Sequence, residues 1–206
     1  MPATTIAKLK YGNTNTFLIR GSKGSILVDT DYAGTMPLFY KAINAQGITV
    51  KDINYVLATH FHPDHIGLVS ELMEQGVKLL LVESQTGSVH FADGIFAREP
   101  RLGYRPIDES GAVVLAFEDS RQFLTKLGIE GEIISTPSHS PDSISVVLDN
   151  GTILVGDLEP FEHLSAYEEW TDEYLFLKKD WEHILGFNPK TVFYSHANEK
   201  CFNLPS

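Results

Sequence analysis

The stretch Tyr55-Val56-Leu57-Ala58-Thr59-His60-Phe61-His62-Pro63-Asp64-His65 decides how this chain is read. It passes from an apolar run into three imidazoles and one carboxylate within six residues. A short apolar run of this kind predicts a buried strand, here over 53–59. Imidazole and carboxylate together are the donors that zinc and similar borderline cations take. The strand therefore delivers a metal-binding cluster at its own end.

Three later apolar runs end in the same way. His139 lies in Thr136-Pro137-Ser138-His139-Ser140, after a strand over 132–136. Asp157 follows Ile153-Leu154-Val155-Gly156, and His196 follows Val192-Phe193-Tyr194-Ser195. In layered α/β folds, strand ends along one edge bring side chains together from distant parts of the sequence. His60, His62, Asp64, His65, His139, Asp157 and His196 exceed what one tetrahedral ion needs. They suit two ions sharing a bridging carboxylate and a bridging hydroxide. Asp157 is the natural bridge, because a carboxylate has two oxygens to offer and an imidazole has one nitrogen for metal.

The rest of the chain reads as alternating β and α segments. Strands are expected at 6–9, 16–20, 25–29, 77–82, 143–149, 152–155 and 191–195. Helices are expected at 35–46, 65–75, 119–127 and 172–185, the first with Met36, Phe39, Tyr40 and Ile43 at helical spacing. Asp149-Asn150-Gly151 is a strong hairpin turn. Residues 84–118 carry Gly87, Gly94, Pro100, Gly103, Pro106 and Gly111, which break any long element. They read as a loop-rich excursion covering the site, where substrate specificity would reside. With no linker or repeat, residues 1–206 read as one domain.

Composition narrows the function. At 43% hydrophobic and 21% charged, the chain can bury a real core. No apolar run is long enough to span a membrane, and the first residues lack a leader pattern, so the expectation is a cytoplasmic protein without membrane contact. The formal net charge of −11 repels phosphate backbones and argues against a nucleic-acid partner. The single cysteine, Cys201, forbids an internal disulfide and reads as a structural or surface thiol. His90, His163 and His183 read as surface or supporting residues, although Glu159 and His163 lie just after Asp157 and are candidates for the substrate pocket.

These segments, with Asn15-Thr16-Phe17-Leu18-Ile19, Ile26-Leu27-Val28-Asp29-Thr30 and Gly156-Asp157, resemble the metallo-β-lactamase superfamily over nearly the whole length. The likeness is to its glyoxalase-II-like and lactonase-like dinuclear branch. It implies an αββα four-layer sandwich of two mixed β-sheets flanked by helices. It further implies that His60, His62 and His139 hold one ion, that Asp64, His65 and His196 hold the second, and that Asp157 lies between. The bridging hydroxide would be the nucleophile, and Asp64 would orient it or shuttle its proton. Asp29 matches the family's buried acid and would fix a metal-bound histidine, unless it only caps a turn. The chain departs from the usual pattern at Ser138, where glycine is common, at Ser140-Pro141-Asp142-Ser143, and at Tyr194-Ser195-His196-Ala197.

The expected activity is hydrolysis of a small carbonyl ester, thioester or lactone by two divalent ions, zinc first and iron or manganese as alternatives. Glyoxalase II carries an extra C-terminal helical region, whereas ten residues follow His196 here, which favours a generic small substrate over a glutathione thioester. A phosphodiesterase of the same fold is the alternative, and a non-catalytic metal-binding or sensor module is a further one. A monomer or a homodimer is expected.

Overall fold

The computed structural model describes residues 4–202. Residues 1–3, part of the stretch read for a leader, lie outside it, as do residues 203–206.

Two mixed sheets pack face to face. The first contains β1 (Thr5–Lys10), β2 (Asn15–Arg20), β3 (Ser25–Val28), β4 (Tyr55–Leu57), β5 (Lys78–Val82) and β6 (Val113–Leu115), in that spatial order. β1 to β3 are antiparallel, and β3 to β6 run parallel. The second contains β7 (Gly131–Ser135), β8 (Ile144–Leu148), β9 (Thr152–Leu154), β10 (Thr191–Phe193) and β11 (Lys200–Cys201), in the order β11-β10-β9-β8-β7. Only β9 and β10 pair in parallel there.

Successive side chains of a strand point to opposite faces, so a strand buried on both sides must be apolar at every position. The central strands obey this. Phe17, Ile19, Ile26, Val28, Leu57 and Leu80 face the second sheet, where they meet Ile133, Val146, Leu148 and Leu154. Leu18, Leu27, Val56, Leu79 and Leu81 face the other way, onto a helical layer. That layer is α1 (Met36–Ala45), α2 (Pro63–Ile66), α3 (Val69–Glu74) and α4 (Asp93–Phe96), through residues such as Phe39, Ile43, Ile66, Leu72 and Phe96. On the far face of the second sheet, Ile134, Val147, Ile153 and Val192 pack on Leu177, Trp181 and Ile184 of α6 (Asp172–Leu185). The remaining helix, α5 (Phe117–Leu127), turns Leu124 into the layer between the sheets. Helix, sheet, sheet, helix is the four-layer order that the resemblance implies.

The departures are local. The helix expected over 65–75 is two helices, because Thr30 takes over the His65 carbonyl. The Thr30 backbone N–H donates to it at 2.9 Å and the Thr30 hydroxyl at 3.0 Å. That carbonyl would otherwise accept from Val69, one turn on. Gly67 sits at the break, where a Cβ would come within 2.1 Å of the Ala33 backbone nitrogen. The strand expected over 53–59 keeps its ladder only at Tyr55–Leu57; beyond that the chain turns to present the cluster. The excursion at 84–118 is not uniformly irregular. β6 joins the first sheet, and Val89, Ala92, Phe96 and Ile107 are core residues. β11 was not legible in the sequence, and Cys201 lies exposed on it.

Candidate metal centre

The ends of β4, β7, β9 and β10 lie along one edge, and the side chains that follow them converge. After β4, Pro63 starts α2 with the φ angle a first helical turn needs, placing Asp64 and His65 one behind the other. His60 and His62 come from the loop before it. Gly156 has φ +60°, and a Cβ there would lie 2.5 Å from the Thr59 hydroxyl, so only glycine lets the Asp157 loop approach this closely.

Donor atoms fall into three groups, each within 4.8 Å: His60, His62 and His139; His60, His65 and Asp157; Asp64, His65 and His196. His62 Nδ1 lies 2.9 Å from His60 Nε2 and 3.1 Å from His139 Nε2. Tetrahedral zinc with Zn–N of about 2.0–2.1 Å requires nitrogens about 3.3 Å apart, which these nearly match. Asp64 Oδ2 is 3.0 Å from His196 Nε2. Asp157 divides its oxygens between the clusters. Oδ2 is 3.9 Å from His60 Nε2 and 3.7 Å from His139 Nε2. Oδ1 is 3.3 Å from His65 Nε2 and 3.4 Å from His196 Nε2.

Two atoms test whether cations fit. His65 Nε2 and Asp157 Oδ1 are buried without a hydrogen-bond partner; they face each other but are not aligned for one. Buried polar atoms left so are costly unless something binds them. A divalent ion satisfies both, and the donor set of imidazole and carboxylate suits it. Burial is graded as an accessible site requires. His60 and His65 are buried, Asp64 and Asp157 half-buried, and His139 and His196 exposed.

Electrostatics follow the geometry. Burial, together with the neighbouring imidazoles, drives His60 far below the usual histidine range, so it stays neutral with a lone pair available. Burial also disfavours a charged His65, but the Asp29 and Asp157 carboxylates outweigh it and hold the ring at about 10. Burial raises Asp64, yet its bond to His196 and the nearby His65 bring it down to about 2. The same bond raises His196.

A supporting shell holds these ligands. Asp29 is at φ +58°, a strained position for a non-glycine residue, and several hydrogen bonds fix it there. The Thr59 N–H donates to it at 2.6 Å, the Thr59 hydroxyl at 2.9 Å and the Ser195 hydroxyl at 2.9 Å. Its Oδ2 lies 3.0 Å from His65 Nδ1. A carboxylate there fixes the His65 tautomer with Nε2 toward the centre. The Asp29 carboxylate bonds Thr59, Ser195 and His65 rather than a backbone N–H of its own turn. Three further supports went unread in the sequence. Asn15 donates to the carbonyls of Tyr194 (2.8 Å) and Ala197 (3.0 Å), clamping the loop that carries His196. Asp142 accepts from the Phe61 N–H at 2.8 Å. Buried Gln85 donates to the Ala58 carbonyl at 2.9 Å. Each is a lone polar residue in an apolar or loop context, and only its buried position reveals its task.

The other predicted residues separate. Glu159 and His163 line a cavity of about 600 Å³ together with His139, Asp157, His196 and Tyr194. Phe91 brings the 84–118 segment against a candidate ligand, its ring centroid 5.2 Å from that of His62. His90 pairs with Asp93 at 2.9 Å, and His183 packs on Phe187; neither joins a ligand group.

Comparison with known proteins agrees with this architecture. The family model for the metallo-beta-lactamase superfamily matches residues 9–196, and the chain belongs to that superfamily. It is 25% identical over 185 residues to the Beta-lactamase-like protein 2 homolog of Drosophila melanogaster, covering 90% of this chain and 59% of that protein. It is 30% identical over 146 residues to the Lactamase-like protein nscB of Arthroderma benhamiae, covering 70% of this chain and 28% of that one. The chain thus spans 59% and 28% of the length of these two curated relatives. Among solved structures, the BLEG-1 B3 metallo-beta-lactamase superposes with a TM-score of 0.66 at 21% identity, over 96% of this chain and 94% of that one, a likeness of fold. Among the described residues, no helix is long and apolar enough to cross a membrane.

Proposed function

We propose that this chain is a two-metal hydrolase of a small carbonyl ester, thioester or lactone, working in the cytoplasm. The division of Asp157 carries the reading: one oxygen faces His60 and His139, the other His65 and His196. His60, His62 and His139 would hold one divalent ion and Asp64, His65 and His196 the other, with Asp157 between them. When bound, such ions lower the pKa of water toward about 7 and polarise an acyl carbonyl. Zinc is the first choice of metal, with iron or manganese as alternatives.

The chain's own part is to position and to hold protons. Asp29 keeps His65 in one tautomer. Asp64 is held ionised beside His196, where its free oxygen can accept the proton of an attacking water. The cavity beside Asp157 receives the substrate. Its lining contains no lysine or arginine, which together with the net charge of −11 supports a carbonyl substrate over a phosphodiester. Phe91 and its segment would close the other side.

Elemental analysis of purified protein, run beside a panel of esters, thioesters, lactones, β-lactams and phosphodiesters, tests the reading. About two metal ions per chain with carbonyl turnover is the expected outcome. Turnover of phosphodiesters alone, or two ions with no turnover at all, would overturn it in favour of the nuclease-like or the sensor alternative.

A further inference from the structure

The cavity beside the candidate ligands holds a second constellation. Asp157 is followed by Leu158 and Glu159, and the chain then enters a short 3-10 helix, Phe161–Ala166. One turn of it brings His163 back onto Glu159, with His163 Nδ1 3.0 Å from Glu159 Oε1. The other carboxylate oxygen accepts a short hydrogen bond from the Tyr167 hydroxyl. The Glu159 carbonyl is itself held by the indole N–H of buried Trp181, at 2.8 Å. Both oxygens and the backbone of Glu159 are therefore fixed. His163, Glu159 and Tyr167 all line the cavity that His139, Asp157 and His196 also line.

A carboxylate bonded to one imidazole nitrogen fixes the ring's tautomer and orientation. The other nitrogen, Nε2, is then the working atom. His163 is exposed, so Nε2 exchanges protons with solvent. Asp64 is already assigned to the proton of the attacking water, and the imidazoles offer their lone pairs to the cations, so the leaving oxygen calls for a separate donor. Ester cleavage needs one: as the acyl C–O bond breaks, the departing oxygen carries the bonding pair and must take up a proton unless it is a weak base.

We infer that His163 is the proton donor to the leaving oxygen, and that Glu159 and Tyr167 are its positioning residues. The inference rests on the hydrolase reading above. In the step, the acyl C–O bond breaks, the Nε2–H proton passes to the leaving oxygen, and neutral imidazole remains. Water then returns a proton to Nε2, and the hydroxide left behind takes the proton that Asp64 received from the attacking water. No redox change and no further co-reactant is involved.

The test compares two esters of one acyl group, an alkyl ester with a strongly basic leaving alkoxide and a thioester with a weakly basic leaving thiolate. On metal-loaded enzyme, His163→Ala should lower kcat for the alkyl ester by roughly 10²–10⁴-fold. The loss on the thioester should be less than about tenfold, with metal content unchanged. Added imidazole should restore part of the alkyl-ester rate. His183→Ala, on the outer helix, should alter neither rate. In metal-free protein, nitrogen-15 NMR of the imidazoles should place a proton on His163 Nδ1, and Glu159→Gln should weaken that preference. Equal losses on both esters, or a His163 ring indifferent to Glu159, would overturn the inference while leaving the hydrolase reading intact. Wild-type enzyme that cleaves neither ester would overturn both.

Discussion

Asp64 and Asp29 show how two carboxylates near the same histidines come to different work. Asp64 is half-buried at the start of α2 and touches His196, with part of its side chain exposed. Asp29 is buried under His65 and wholly engaged by Thr59 and Ser195. Asp64→Asn keeps the shape but removes the charge that attracts a water's proton. Turnover should fall by roughly 10²–10⁴-fold while thermal unfolding of the metal-free protein stays near wild type. Unchanged turnover would remove Asp64 from the mechanism. Asp29→Asn tolerates the left-handed backbone but cannot fix the His65 tautomer as firmly. Metal affinity should weaken by roughly 10–100-fold, read by competition with a chelating dye. An affinity equal to wild type would reduce Asp29 to a turn residue.

At the scale of elements, legibility tracked how much of a residue's task is local. The His60–His65 cluster and the apolar runs ending at His139, Asp157 and His196 were readable because ligand chemistry and strand burial both act on residue type. Asn15, Gln85 and Asp142 were not, since each bonds a backbone group far along the chain and leaves no periodic trace. The break between α2 and α3 was hidden for the same reason: its cause is Thr30, thirty-five residues before the carbonyl it captures. That break has a measurable consequence. Gly67 lies against the backbone of Tyr32 and Ala33, in the loop that follows Asp29. Gly67→Ala forces a methyl group into that contact and should cost about 1–3 kcal/mol. In urea the midpoint should drop with little change in slope. A midpoint unmoved would mean the two segments are not in contact.

Across the whole molecule, the sandwich explains why the centre sits where it does. Both sheets are apolar on both faces, so polar ligands have no place within them and gather where strands end. The four-layer order could be anticipated from the resemblance to the superfamily, which the motifs at the strand ends carry. β6 and β11 could not, because strands of three and two residues carry too little pattern. A metal centre joining both sheets would link stability to metal and to pH. In the metal-free fold His65 is held at about 10, above its unfolded value near 6.5. A raised folded pKa adds stability that is complete below about 6.5 and is lost as pH rises through about 10. Metal binding runs the opposite way. The proton that faces Asp157 must leave His65 Nε2 before a cation can bind, so affinity climbs with pH over the same window. The gap in Tm between metal-loaded and chelator-treated protein should therefore widen from pH 6 to pH 9. Melting curves with and without chelator at both pH values measure it. A gap that stays constant would mean that metal displaces no proton from His65, and that its contact with Asp157 lies outside the centre.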